Sequence, residues 1–340
     1  MSSGADAAAP TGRPPAAASA ALPPAPTVLP ALTVLQPGPL TTMQDLGRPG
    51  LADQGVPRSG AADRPALALA NRLVGSAEAA PALEVTFGGL VARAERRLWL
   101  ATAGAPAPVF VDGVEVGAQS SFVLPAGAVI RIGRPPRGLR TYLAVHGGFA
   151  VDRILGSASE DTLSGFVPQP VHEGTVLRTT AGAAGTAGAS GTAGAAGTAG
   201  ASGTAAFGDF PGIDHVPTRA WPTEPTLALT PGPRADWVTP ATYAALADTA
   251  YTVGADSNRI GVRLHGPALM RARTGELPPE ALVPGAVQLP PSGQPIIFLA
   301  DVPTTGGYPV IAMVRAASLP VVAQLVPGER VRLTLSSGGS

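Results

Sequence analysis

Neither cysteine nor lysine occurs in the 340 residues of this chain. The first absence removes disulfides, thiolate metal sites and a cysteine nucleophile, and it leaves the redox compartment unmarked. The second removes more. All 23 basic side chains are arginine, so no amine is present to carry biotin, form a Schiff base or reach a nucleotide phosphate from a P-loop. Net charge is zero, without a long block of one sign, which argues against a nucleic-acid surface or a polybasic membrane anchor and for a small-molecule or protein partner. His146, His172, His215 and His265 are far apart and match no paired metal-ligand spacing. There is no Gly-x-Ser-x-Gly elbow, which disfavours a serine hydrolase. No segment reads as a membrane span, and Pro10, Pro14 and Pro15 interrupt what a secretory signal needs, so a cytoplasmic location is expected.

Two low-complexity stretches divide the rest. Residues 1–31 are nearly all Ala, Pro, Ser, Thr and Gly, too poor in apolar bulk to offset their ordering entropy, and are expected to be a disordered extension. Residues 181–192 read AGAAGTAGASGT, and 193–204 repeat those letters unchanged. Glycine at about every third position and no branched apolar side chain predict a flexible linker over 179–207. It separates 32–178 from 208–336.

Each half consists of short apolar runs punctuated by Gly and Pro, which predicts a mainly β chain of two β-barrel domains with a few short helices. The expected strands in the first half are Leu32–Gln36, Leu83–Phe87, Leu98–Thr102, Val109–Val111, Ser121–Leu124, Val129–Ile132 and Thr141–Val145. Asp112-Gly113 between valine-rich arms signals a type I′ hairpin. A helix is expected from Arg64 to Val74, capped by Asp63, opened by Pro65 and ended by Gly75. In the second half the expected strands are Thr226–Leu229, Val287–Leu289, Ile296–Ala300, Val310–Val314 and Arg330–Leu335, with helices capped by Thr239 and opened by Ser318.

Four polar clusters stand out. Pro295 to Ala300 reads as a core strand that delivers Asp301, then Thr304, Thr305, Gly306, Gly307 and Tyr308, into a glycine-permissive turn where a ligand can be held; a plain tight turn needing both glycines reads equally well. Asp45 and Arg48, three apart across Gly47, can meet across a turn or bind one ligand together. Arg131, Arg134, Arg137 and Arg140 mark a basic loop leading into a strand, read as solvated side chains, with an anion site as the alternative. Asn258 precedes Arg259 and Arg263, which would share one strand face and clamp a carboxylate or phosphate if the strand begins early enough. Gln288 sits at a strand end, and Gln324 is read as a surface cap.

Taken together, Gln44–Arg48, Ser59–Asp63, Ala70–Gly75, Gly138–Gly148, Leu155–Ser157, Asn258–Gly266, Gly285–Gln288 and Gly293–Pro309, closing with Gln324, Pro327 and Gly328, resemble one family. It is the biotin-dependent carboxyltransferase-like family, also called the allophanate hydrolase subunit 2 family, and the match runs in order through nearly all of 32–334. The resemblance implies a pair of cyclophilin-like β-barrel domains. Members include the carboxyltransferase region of urea carboxylase, the C subunit of bacterial ATP-dependent 5-oxoprolinase, and an antagonist of a sporulation kinase inhibitor. The sequence departs from the family at Ser76, where Asn is usual, at Pro279 before Glu280, where Ser is usual, and at Ala158-Ser159-Glu160 and Gly165-Phe166-Val167-Pro168. These last departures direct functional carry-over to the second half.

A free-standing chain of this size fits the 5-oxoprolinase C subunit best among those members. The resemblance then implies a multi-subunit amidohydrolase, inactive as a lone subunit, that opens 5-oxoproline to L-glutamate with ATP and magnesium bound in the assembled complex. A- and B-type subunits are the implied partners, with no biotin on this chain. In that setting Arg259 and Arg263 are expected to hold the substrate carboxylate or phosphate, and Asp301 to orient water or a metal-bound phosphate. Thr304 and the Gly306-Gly307 backbone are expected to line the pocket, with Asn258, Gln288, Thr305, Tyr308, Asp45 and Arg48 also contacting substrate. Replacement of Arg263 by Ala is expected to abolish turnover. The alternatives are a carboxyltransferase served by biotin on another protein, and a non-catalytic regulator that binds a kinase-inhibitor-like partner.

Overall fold

The computed structural model describes residues 27–180, 216, 221–275 and 277–335. Strands in the first half are β1 (Val28–Gln36), β2 (Leu40–Gln44), β3 (Ala82–Thr86), β4 (Val91–Ala94), β5 (Leu98–Gly104), β6 (Val109–Val111), β7 (Val114–Glu115), β8 (Ser121–Leu124), β9 (Val129–Ile132), β10 (Arg140–Val145) and β11 (Val176–Thr180). They form a six-stranded sheet, β11-β1-β4-β9-β6-β7, and a five-stranded sheet, β2-β3-β10-β5-β8. Leu32 and Val34 of the first sheet meet Val85, Leu100 and Leu143 of the second in one buried core.

Helix α1 (Arg64–Leu73) covers the other face of the second sheet. There Ala82, Ala101, Ala103 and Ala144 offer small side chains against which Leu67, Ala70 and Val74 pack. Covered on both faces, β3 and β10 are buried at every position, and the alternation typical of a half-exposed strand is lost. Local chemistry fixes the ends of α1: the Asp63 carboxylate accepts from the Ala66 amide at 3.1 Å, and Gly75 turns the chain at φ 64°. Asp112 (φ 48°) and Gly113 (φ 83°) form the expected hairpin turn between β6 and β7.

The second half contributes β12 (Thr226–Pro231), β13 (Ala250–Val253), β14 (Gly261–His265), β15 (Glu280–Ala281), β16 (Ala286–Gln288), β17 (Ile296–Phe298), β18 (Thr305–Gly306), β19 (Val310–Val314) and β20 (Arg330–Leu335), with helices α2 (Pro240–Asp248) and α3 (Leu319–Val322). Seven of these strands close a barrel in the order β12-β19-β16-β17-β14-β13-β20, sealed by a parallel pairing of Thr226 with Arg332. Leu227, Tyr251, Leu264, Ile297, Ile311 and Leu333 fill it. Thr239 caps α2 through the Thr242 amide as expected. Ser318 does not cap α3; its hydroxyl accepts from the Ala228 amide instead, tying the helix entrance to β12.

Among the described residues each strand pairs only within its own half. The low-complexity boundaries need correction at their edges. Val28 to Ala31 already belong to β1, with Ala31 fully buried, and Thr179 and Thr180 complete β11. Residues 1–26 of the expected extension and 181–207 of the expected linker lie outside the described residues. No helix among the described residues is long and apolar enough to cross a membrane.

Candidate functional site

The two halves meet on charge. Arg259, from the turn before β14, reaches across to the first half with only 1% of its surface exposed. Its Nε and Nη2 donate to the two carboxylate oxygens of Asp301, each at 2.9 Å. Nη2 also donates to the Gly60 carbonyl at 2.7 Å, and Nη1 donates to Glu84 on β3. Burial works against the charge of Arg259, but Asp301 and Glu84 keep its pKa well above the usual value. Burial likewise opposes ionisation of both carboxylates, and the facing guanidiniums (Arg259 for Asp301, Arg259 and Arg140 for Glu84) outweigh it, holding both below the usual carboxylate range.

The network runs on from Glu84. Its other oxygen accepts from Tyr142 Oη at 2.7 Å and from the Ala62 amide at 3.0 Å. Arg140 Nε lies 3.2 Å from Glu84 at ion-pair rather than hydrogen-bond geometry, and Arg140 Nη1 donates to the Ala323 carbonyl in the second half. Gln324 uses both ends of its amide. Its oxygen accepts from the Leu139 and Arg140 amides, and its nitrogen donates to Asp63 at 2.9 Å and to the Arg140 carbonyl at 3.0 Å. Gln324 is therefore a buried joint between the halves and not the expected surface cap, and Arg140 is buried while Arg131, Arg134 and Arg137 are exposed.

This geometry corrects the roles expected of Asp301 and Arg259. Asp301 is fully buried and accepts from Ser59 Oγ, from Arg259 twice, and from the amide and hydroxyl of Thr162. A carboxylate has about four lone-pair sites, so none is left to orient a water. Arg259 is equally committed. The expected clamp with Arg263 does not form, because the Asn258 side chain accepts from the Ile260 and Gly261 amides and starts β14 only after Arg259. Arg263 is half exposed and pairs with Asp256 at 2.9 Å.

Asp45 and Arg48 are both buried, and each turns to the 154–161 loop. Asp45 accepts from Ser157 and Ser159 hydroxyls at 2.6 Å, from the Ala158 amide and from Arg153. Arg48 donates to the carbonyls of Ile154 and Ser159, and its guanidinium lies 5.3 Å from the centre of the Phe166 ring. The loop that departs from the family pattern is thus anchored to Asp45 through Ser157 and Ser159 and built into the joint through Thr162. Gly47 explains itself: a Cβ there would sit 2.4 Å from the Arg58 carbonyl, so only glycine lets the two segments touch.

The remaining candidates lie around a separate two-stranded sheet, β15-β18, and the neighbouring end of β16. Buried Gln288 donates to the Tyr308 carbonyl at 2.9 Å, and β15 pairs with β18. Gly306 is needed for closeness, since a Cβ would meet Leu282 at 2.6 Å and Gln288 at 2.8 Å; Gly307 has ordinary room. Thr304 is partly buried, and Thr305 and Tyr308 are exposed. Asn258 lines a groove of about 220 Å³ with Phe87 and Pro327. The sequence candidates are therefore distributed over the joint, the exposed face of β14, this groove and the β15-β18 sheet.

A larger opening, about 350 Å³, lies where the halves meet. Arg58, Ala61, Ala62, Arg64 and Pro65 form one wall; Pro284, Leu299, Ala300, Ala316, Leu319 and Pro320 form the other. Its walls are the near sides of the joint, since Ala62 is bonded to Glu84 and Ala300 precedes Asp301. Ser59, beside it, is held at φ 52°, a left-handed conformation uncommon outside glycine, next to Gly60 at φ 98°. Sequence reading misses Glu84, Tyr142, Ser59, Thr162 and the two cleft arginines as site residues, and takes the buried Arg140 for a solvated one. The one available signal was Glu84 itself, a carboxylate in the middle of an otherwise apolar strand.

Comparison with known proteins agrees with this architecture. The model of the carboxyltransferase domain, subdomain A and B, matches residues 54–335. The C subunit of 5-oxoprolinase from Escherichia coli K12 is 33% identical over 306 residues, which cover 90% of this chain and 91% of that protein. The urea amidolyase of Saccharomyces cerevisiae is 29% identical over 89% of this chain, but the match covers 16% of its length. The crystal structure of TTHA0988 superposes with a TM-score of 0.76 at 35% identity, covering 90% of this chain and 55% of that one, so this chain spans about half of that molecule. The chain belongs to the carboxyltransferase subdomain A and B family.

Proposed function

We propose that this chain is the C-type subunit of a multi-subunit, ATP-dependent 5-oxoprolinase, an amidohydrolase that opens 5-oxoproline to L-glutamate. One observation carries the reading: the match to the Escherichia coli protein covers 90% of this chain and 91% of that one. The reaction adds water across the lactam C–N bond and converts ATP to ADP and phosphate. The lactam is a stable amide, and phosphorylation of its oxygen would make its carbon the better electrophile.

The described residues that line the cleft do not fit magnesium-ATP. The cleft offers two guanidiniums and no carboxylate, hence no oxygen ligand set for Mg²⁺, and a P-loop lysine is missing. No step of the ATP chemistry is assigned to it. Asp301 and Glu84 are saturated by the joint, which supports a subunit that is inactive alone and acts with A- and B-type partners. This chain would contribute a shaped, largely apolar wall and two cations facing the substrate.

The match to urea amidolyase favours a second reading, carboxyl transfer, in which biotin rides on a partner because this chain has no lysine. The two separate experimentally. The purified chain, mixed with its A- and B-type partners, should convert 5-oxoproline to glutamate only when ATP is supplied. A biotinylated partner revealed by avidin blotting, with no such conversion, would favour carboxyl transfer.

A further inference from the structure

The cleft between the halves has an unusual charge balance. Arg58 and Arg64 line it, the other lining residues are alanine, proline and leucine, and no carboxylate is among them. Neither arginine forms an ion pair among the described residues. The nearest acid in sequence, Asp63, is turned away, one oxygen on the Ala66 amide and the other on Gln324. Elsewhere at this junction Arg259 is matched by Asp301 and Glu84, and Arg140 by Glu84. Arg58 is exposed to solvent, but Arg64 is partly buried, and a part-buried cation held against an apolar wall beside a second cation gains from an anion that completes the pair.

From this we infer that Arg58 and Arg64 form a binding subsite for a single anionic group, carboxylate or phosphate, carried on a compact apolar body that lies against Leu299, Ala300 and Leu319. The volume of about 350 Å³ suits a small molecule. Guanidiniums pair with planar carboxylate or phosphate oxygens through parallel hydrogen bonds, which supplies orientation as well as attraction. The state of Arg64 agrees: burial and then repulsion from Arg58 push its pKa down to about 10, a cost that a bound anion between the two would relieve. The inference holds whatever reaction the assembled enzyme performs.

Calorimetric titration of the full chain tests it with three probes sharing one ring: cyclopentanecarboxylate, cyclopentyl phosphate and neutral cyclopentylmethanol. At least one anion should bind in the millimolar range or tighter, the alcohol should not, and affinity should fall as salt is raised. The two anions tell a carboxylate site from a phosphate site. Arg58→Ala and Arg64→Gln should each weaken the better anion by about tenfold or more. Arg58 is exposed in a loop and Arg64 opens a helix that accepts glutamine well, so both variants should melt close to the wild type. Should Arg64→Gln fail to fold, Arg58→Ala alone decides. Absence of binding by both anions, equal binding by the alcohol, or affinity unchanged in Arg58→Ala would overturn the assignment.

Discussion

Arg259 and Asp301 face each other through two parallel hydrogen bonds of 2.9 Å, 42 residues apart in sequence and both buried, and the same guanidinium continues to Glu84 on the other half. The pair joins the halves; it does not face a ligand. Removing Arg259 would leave Asp301 buried without a counter-charge and Glu84 with Arg140 alone.

Arg259→Ala should therefore destabilise the chain by about 3–5 kcal/mol, the usual cost of breaking a buried pair from one side. Urea unfolding of the isolated chain measures this. A loss below about 1 kcal/mol would mean that water enters the joint and solvates the acids.

Gln324→Ala should be nearly as damaging, because it strips the Leu139 and Arg140 amides and one Asp63 oxygen of partners at once. Each buried group left unsatisfied costs about 1–3 kcal/mol. Gln324→Glu should not rescue it, since a second carboxylate would then face Asp63. Thermal melting of both variants checks this.

Acid should act on the same joint. Asp301 and Glu84 have lowered pKa values in the folded chain, so near the ordinary carboxylate values, about 4, the unfolded chain binds more protons. Their stabilisation is complete above that range and is lost as pH falls through the lower folded values. The stability gap between wild type and Asp301→Asn should accordingly be wide at neutral pH and shrink below about pH 4. A gap that stays constant across that range would contradict the ionised pair.

Arg263→Ala should change little in the isolated chain. Arg263 and Asp256 are each about half exposed or more, and such surface pairs contribute about 0–1 kcal/mol. Unfolding within about 0.5 kcal/mol of wild type is expected. A larger loss would show that Arg263 has a buried role.

What could be read from the sequence was what local chemistry determines. The Asp112-Gly113 turn, the Asp63 and Thr239 caps, and strands such as Val109–Val111 and Arg330–Leu335 each depend on neighbours within a few residues, and each forms where expected. β4 was missed because Arg93 interrupts a four-residue run, and β2 because Thr41 and Thr42 look like turn residues. The site was harder for a different reason. Asp301 and Arg259 stood out as polar residues beside apolar runs, which is also how a buried joint looks in sequence. Their partners lie 175 positions away at Glu84 and as far as 242 at Ser59, and Gln324 bonds Asp63 over 261 positions. The composition of a turn carries no trace of such distances, so the same residues were legible as special but not as structural. Arg58 and Arg64 escaped because only the docking of the second half turns them into a cleft wall.

The most direct test of the functional account is omission. Glutamate and ADP formed from 5-oxoproline and ATP are measured in the complete mixture of this chain with its A- and B-type partners, and again without this chain. The account predicts turnover in the first mixture and its loss in the second, restored by adding the purified chain back. Equal turnover with and without this chain, or none in a complete mixture whose assembly has been verified, would contradict it.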